Sequence, residues 1–372
     1  MKKRLLFVIE SLSGGGAEKV LSVLLKFFDY NKYQITICPI VDTGIYCEDV
    51  KQYVDFYSPI ISYHGNFIRK SWNKIKYKLI YSILPLRWVY WWFIPKNNDV
   101  EIAFCEGFVT KLLSQANSKS KKIAWIHTDL AENPWPIQLG IYKEIEEERN
   151  AYSCFDKIVC VSHTVENSFH TKYGLKDLTV TIYNPIDVKH VRDSAGVPLR
   201  IGGDVNVISI GRLVPQKGYD RLLRVAKRLH DEHFNFQMQI VGEGSERDVL
   251  EKYVSDNAME SYVSLPGFSL NPYEKLVNSD LFVCSSYAEG FSLVIAEAIL
   301  LGIPVISTYC SGPNELLNED KFGKLVENSD EGLYDGMKCF FAKTTKRTHV
   351  DTDEFENKFR ADNIVREVYK LL

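Results

Sequence analysis

The sequence predicts an α/β protein of two doubly wound domains, and three observations predict it. At 372 residues the chain is longer than one core comfortably fills. Short β-branched or aromatic runs alternate with amphipathic helical runs, the order that builds parallel sheets covered on both faces. The alternation then restarts after "NPIDVKHVRDSAGVPLRIGGD", residues 184–204, whose mixture of Pro, Gly and charge reads as a linker.

The expected strands of the first half are "RLLFVIE", "YQITICPIV", "VEIAFCE", "KKIAWIH", "KIVCVS" and "LTVTIYN". Between the first two lies "AEKVLSVLLKFF", which puts Val20, Leu21, Leu24, Leu25 and Phe28 on one helical face. The second half runs "VNVISI", "FQMQIVG", "YVSLPG", "DLFVCSS" and "IPVIST". Its first helix, "YDRLLRVAKRLH", is expected to turn Leu222, Val225, Ala226 and Leu229 inward, with Arg221, Arg224, Lys227 and Arg228 outward. The final segment, "DEFENKFRADNIVREVYKLL", is amphipathic, with Phe355, Phe359, Ile364, Val365, Val368 and Leu371 mostly on one side.

Composition is that of an ordinary soluble domain, with 45% hydrophobic and 25% charged residues. A formal net charge of -3 gives no global attraction to nucleic acid. The eight cysteines are scattered without a CxxC pair, so they read as reduced, buried apolar residues of a cytoplasmic protein, not as disulfides or zinc ligands. The apolar run in "MKKRLLFVIESLSGGG" is too short for a signal peptide, and no stretch has a clean membrane-crossing length.

Ligands of doubly wound sheets sit outside the carboxyl ends of the strands, so the strand-to-helix loops carry the expected chemistry. The first such loop holds Gly14, Gly15 and Gly16 before a helix. Three glycines there mean either a very tight turn or close approach of an anion to backbone N–H groups. The loop is neither Walker A nor GxGxxG. The second, "SIGRLVPQKGYDRLL", places Arg212 and Lys217 five positions apart, a guanidinium fork and an ammonium suited to a diphosphate. The third, "SSYAEGFSLVIAEAILLGIPVIST", puts Glu289 and Gly290 in a loop, Ser292 at a helix N-cap and Glu297 within the helix. Carboxylates are good acceptors for vicinal hydroxyls, and the first N–H groups of that helix, at Phe291, Ser292 and Leu293, are placed to meet phosphate. An exposed location for both glutamates is the plainer alternative, but they flank a helix too apolar to stand in water.

With those loops in view the chain resembles the retaining glycosyltransferases of family 4, which have the two-domain GT-B architecture. The resemblance rests on "GRLVPQKG" and on the Glu-x7-Glu of "EGFSLVIAEA", and it runs more weakly along nearly the whole chain. It implies that Arg212 and Lys217 hold the diphosphate of a sugar donor, that Glu289 contacts the transferred sugar and that Glu297 contacts the ribose. It implies that Gly14 to Gly16 come close to the diphosphate or sugar when the domains shut. His127, after "KKIAWI", takes the place of a family histidine; Gly267 and Phe268 of "LPGFS" stand near the nucleobase; Asn184 to Asp187 form the hinge. "CSGPNELL", residues 310–317, departs from the commoner Gly-Gly loop and is similar to members using UDP-sugars. Residues 1–188 are then an acceptor-binding domain, 189–352 a nucleotide-sugar-binding domain, and 353–372 a helix crossing back to the first.

The implied reaction moves a hexosyl, or N-acetylhexosaminyl, unit from a UDP-sugar to a hydroxyl of a glycan or lipid-linked acceptor in surface polysaccharide or glycoconjugate assembly. His127, Arg212, Lys217 and Glu289 are the expected catalytic groups. No cofactor is expected, and no metal where two cations neutralise the diphosphate; the Asp-x-Asp at Asp351 to Asp353 reads as a solvated turn. A nucleotide-sugar epimerase and a non-catalytic nucleotide-sugar-binding protein are the alternatives.

Between Asp55 and Asp99 no acidic residue occurs, while Arg69, Lys70, Lys74, Lys76, Lys78, Arg87 and Lys96 are interleaved with Trp72, Tyr77, Trp88, Tyr90, Trp91 and Trp92. Such a mixture suits an anionic bilayer surface, and Pro85 and Arg87 make it lie on the membrane and not cross it. A peripheral location on the inner face of the cell membrane follows as an expectation, with no nucleic-acid partner; a buried aromatic cluster is the alternative.

Overall fold

A computed structural model describes residues 1–61, 67–116, 119–198, 204–317, 321–342 and 352–372, without the side chains of 67–70. Its strands form two all-parallel sheets in two units, residues 1–185 with 361–372 and residues 186–360. The first sheet contains β1 (Lys3–Ile9), β2 (Tyr33–Pro39), β3 (Asp55–Phe56), β4 (Val100–Ala103), β5 (Lys121–Ile126), β6 (Lys157–Cys160) and β7 (Thr179–Thr181). Its order is β3-β2-β1-β4-β5-β6-β7, with Leu5 opposite both Ile35 and Val100. The second contains β8 (Val205–Ile210), β9 (Phe236–Val241), β10 (Val263–Gly267), β11 (Leu281–Cys284), β12 (Val305–Thr308) and β13 (Lys324–Val326), in the order β10-β9-β8-β11-β12-β13. Helices cover both faces, which is why β1 and β11 read as unbroken apolar runs without alternation.

Two edge strands, β3 and β13, have no counterpart among the expected ones; at two and three residues they carry no periodic signal. The linker also differs from expectation. Its described part forms a helix, Val188–Ala195, N-capped by Asp187, which accepts from the His190 N–H at 3.0 Å. Ile186 donates to the Phe359 carbonyl at 2.8 Å, and Arg192 pairs with Glu356 at 2.9 Å. Residues 186–188 and 353–360 therefore belong to the second unit, displacing the expected boundaries.

The chain end is two helices where one was expected. Asp353–Phe359 stays in the second unit, with Phe355 and Phe359 buried there. Arg360 then turns extended, and Ala361–Leu371 completes the first unit. Its Tyr369 ring stacks on Tyr33 at 5.0 Å, and its hydroxyl accepts from the Asp29 N–H at 2.6 Å.

Three further expectations are corrected. Arg221 is buried, not outward, because it lies four residues before Val225 and eight before Leu229 on the apolar stripe. Cys154 and Cys339 are exposed, so the cysteines are not all core residues. Of the basic aromatic set, Tyr90 is buried with its hydroxyl on Glu101 at 2.7 Å, and the Lys96 ammonium lies 3.4 Å over the Tyr90 ring. Trp72, Tyr77, Trp88, Trp91 and Trp92 are exposed, Trp91 to 70%. The side chains of Arg69 and Lys70, and Asp351 of the Asp-x-Asp, lie outside the described residues.

Candidate active site

In the second sheet β8 and β11 are neighbours, and the strand order reverses between them. At such a switch point the loops diverge and leave a crevice beyond the strand ends. The β8 loop carries Arg212 and Lys217 into the helix Tyr219–Asp231; the β11 loop carries Glu289 into the helix Leu293–Leu300. Two expected site residues meet there. The Lys217 ammonium lies 2.5 Å from Oε1 of Glu289, and Ser286 donates its hydroxyl to the same oxygen at 2.6 Å. Burial lowers the pKa of Lys217, but the adjacent Glu289 charge offsets this and leaves it raised, so the ammonium stays charged.

Arg212 is exposed, yet close enough for its charge to act on Lys217. Glu289 and Glu297 are buried, at 6% and 2% exposure. Tyr273 donates to Glu297 at 3.3 Å. The costly burial of two carboxylates is thus met by an ammonium and hydroxyls.

Hydrogen bonds to backbone carbonyls fix these two loops to one another. Ser285 donates its hydroxyl to the Lys217 carbonyl at 2.9 Å, Gln216 donates to the Ala288 carbonyl at 2.7 Å, and the Tyr287 N–H donates to Gln216 at 2.8 Å. Gly218 is left-handed (φ 63°), and a Cβ there would stand 2.2 Å from the Ser285 carbonyl oxygen. Arg221 was missed by sequence reasoning, and it holds the turn from below. Its Nε donates to the Ser285 carbonyl and its Nη2 to that of Ser286, both at 2.7 Å, while Nη1 reaches Asn328 at 2.7 Å.

Ser292 is the N-cap position of Leu293–Leu300, though its hydroxyl makes no capping bond. The Phe291 ring packs on Phe359 at 5.6 Å, and Gly290 is buried. The 310–317 segment lies against this loop, where the Gly312 N–H donates to the Glu289 carbonyl at 2.8 Å. Gly267 is left-handed (φ 86°) at the end of β10, and Phe268 beyond it is exposed.

In the first unit Gly14 has φ 107°, a backbone open to glycine, whereas Gly15 and Gly16 do not. A Cβ on Gly15 would meet the Glu18 carboxylate at 2.4 Å, so a side chain of the following helix already occupies the space over that position. His127 follows β5. Its ring hydrogen-bonds the Phe104 carbonyl, and Nε2 is buried with no hydrogen-bond partner among the described residues. The donor is therefore Nδ1–H by assignment from the network, and Nε2 presents a lone pair. Burial pulls the His127 pKa down to about 3, so the imidazole is neutral.

Beside it stands Glu106, also missed. Its Oε1 accepts the N–H groups of both His127 and Thr128 at 2.6 Å, while burial pushes its pKa up to about 7. Its place just past β4, the strand beside β1 where the first sheet reverses, is the signal that could have found it. Among the described residues no cluster of three or more His, Cys, Asp or Glu is arranged to hold a metal, and no helix is long and apolar enough to cross a membrane.

Residues 14–190 match the family model "Glycosyltransferase Family 4", and residues 196–351 match "Glycosyl transferases group 1". The two matched regions follow one another along the chain. An uncharacterized glycosyltransferase, MJ1059 of Methanocaldococcus jannaschii, is 30% identical over 60% of this chain and 57% of its own. The N-acetylgalactosamine-N,N'-diacetylbacillosaminyl-diphospho-undecaprenol 4-alpha-N-acetylgalactosaminyltransferase of Campylobacter jejuni is 32% identical over 42% of each chain. The matches thus span less than two thirds of these curated relatives. The crystal structure of Anabaena HepE in complex with UDP-glucose superposes with TM-score 0.73 over 99% of this chain and 100% of its own, at 18% identity. That likeness shows the fold, GT-B.

Proposed function

We propose that the protein is a retaining glycosyltransferase that moves a hexosyl or N-acetylhexosaminyl unit from a UDP-sugar to a hydroxyl of a glycan or lipid-linked acceptor, in surface polysaccharide or glycoconjugate assembly. The observation that carries this reading is the charged Lys217–Glu289 pair at the β8/β11 switch point, beside exposed Arg212. A diphosphate here brings its oxygens to two cations, and their charge stabilises the negative charge that grows as the glycosidic C–O bond breaks. Glu289, already accepting from Ser286, takes hydroxyls of the sugar, and Glu297 takes those of the ribose. Gly290 to Leu293 line the phosphate side, and Gly267 and Phe268 the base side.

Neutral His127 serves as a hydrogen-bond acceptor for a sugar hydroxyl through Nε2, because its low pKa makes it a poor proton acceptor. With Arg212 and Lys217 as the cations, no metal is needed, and transfer should survive EDTA. The UDP complex of HepE and the lipid-diphosphate acceptor in the name of the Campylobacter relative support the donor and acceptor classes.

The test is thermal stabilisation by UDP against GDP. UDP should raise the melting temperature and GDP should not, with the effect lost in Lys217→Ala. Equal stabilisation of wild type and variant would overturn the assignment.

The same reading places the first unit on the inner face of the cell membrane, through exposed Trp72, Trp88, Trp91 and Trp92 with Lys74, Lys78 and Arg87. Vesicles containing anionic lipid should pellet the protein, and Lys74→Glu with Arg87→Glu should release it. Pelleting untouched by these changes would count against the location.

A further inference from the structure

Carboxyl ends of β1 and β4 meet at the strand-order reversal of the first sheet, a second switch point, where the loops of such sheets diverge. Glu10 follows β1 directly, and its environment is burial, the Tyr81 hydroxyl and the like charge of Glu18, which together leave its pKa raised. Tyr81 reaches it from an unusual element: the helix Phe67–Lys78 passes into a π-helical turn, Leu79–Ile83. Such a turn widens the helix by one residue and re-aims a side chain, and it recurs at functional sites. Here it swings Tyr81 between two rings, Tyr77 at 4.5 Å and Phe108 at 4.4 Å, so the phenol is held before any ligand arrives.

The Tyr81 hydroxyl stands 3.3 Å from Oε1 of Glu10. An O–H donor on a carboxylate ordinarily closes to roughly 2.5–2.7 Å. The pair is therefore loosely engaged, and both groups keep hydrogen-bonding capacity. Two strands along, across β4, the Nε2 of His127, which has no hydrogen-bond partner among the described residues, offers a further acceptor. The ensemble is a carboxylate, a phenol and a neutral imidazole lone pair, with Glu18 adding negative charge. That chemistry disfavours an anion and suits an uncharged ligand with several hydroxyls.

We propose that Glu10 and Tyr81 form the specificity-determining part of a saccharide subsite in the first unit, which binds the acceptor's terminal sugar through its hydroxyls. The proposal rests on the reading of the first unit as the acceptor side. Glu10 accepts one sugar hydroxyl, Tyr81 donates to or accepts from its neighbour, and the half-exposed outer ring of Tyr77 offers an apolar face beside them.

Saturation-transfer NMR tests it, with methyl glycosides of glucose, galactose and their 2-acetamido forms as probes on the full chain. At least one should give a signal that persists in saturating UDP, because UDP occupies the second unit. The signal should fall about fivefold or more in Tyr81→Phe and in Glu10→Gln, the scale of one lost hydrogen bond. Both variants should keep the UDP thermal shift of wild type, showing that the chain is folded. Binding by none of the four sugars, or a signal in both variants as strong as that of wild type, would overturn the subsite. Failure of wild type to respond to UDP would instead sink the donor reading while leaving the saccharide result standing.

Discussion

Arg221 shows how one side chain can hold a site without facing its ligand. Buried at 1% exposure, it donates to the Ser285 and Ser286 carbonyls and to Asn328. Arg221→Leu would keep much of the volume and strand those carbonyls, and we expect a loss of about 2–4 kcal/mol in urea denaturation. Catalysis should also fall, because the loop it holds carries Glu289 and binds the Lys217 carbonyl through Ser285. Glu106 and His127 pull the pH dependence of stability in opposite directions. Glu106 has a raised pKa, so its contribution is present below its ordinary value of 4.5 and is lost as pH rises through about 7. His127 has a lowered pKa, so its contribution is present above 6.5 and is lost as pH falls toward about 3. Glu106→Gln should therefore gain stability relative to wild type between pH 5 and pH 8, by ~3 kcal/mol at most. Urea denaturation at the two pH values checks this, and a constant difference would refute it.

Among the elements, the loops after β8 and β11 act as one unit because Gly218 lets their backbones touch. Gly218→Ala would combine a left-handed alanine with a carbonyl 2.2 Å from its Cβ. We expect a cost of about 1–3 kcal/mol together with weakened UDP stabilisation, read in one thermal titration. The first glycine loop behaves differently. Gly14 needs its conformation, and Gly44 is missing from any motif, yet a Cβ there would lie 1.8 Å from the Leu12 carbonyl oxygen. Part of the reason for glycine near this loop is therefore packing between its two arms. The π-turn at Leu79–Ile83 was also illegible, since a run such as "LIYSI" is apolar enough for several helical forms, and the wider turn shows only in the backbone bond from the Leu84 N–H to the Leu79 carbonyl at 3.0 Å.

At the scale of the chain, the helix Ala361–Leu371 is separated by the whole of residues 186–360 from the unit it completes. Ile364, Val365 and Val368 are buried there, and Lys121 donates to the Leu371 carbonyl at 2.7 Å. Deleting residues 361–372 should lower the melting temperature of the first unit and leave UDP binding by the second, which calorimetry with and without UDP would separate. Retention of the full melting profile would show that the helix is dispensable.

Alternating apolar runs were enough to read two α/β units, eleven of the strands and the loops on which Arg212, Lys217, Glu289 and Glu297 stand, because strand period and charge near a strand end are local properties. Which charges face inward was not local. Arg221 looked like its exposed neighbours until three acceptors from other segments were folded around it. Glu106, Glu10 and Tyr81 likewise became a constellation only when β1, β4 and β5 were set side by side. A buried carboxylate or guanidinium is tolerable only beside partners from distant parts of the chain, and those partners exist only once the sheet order has brought them together.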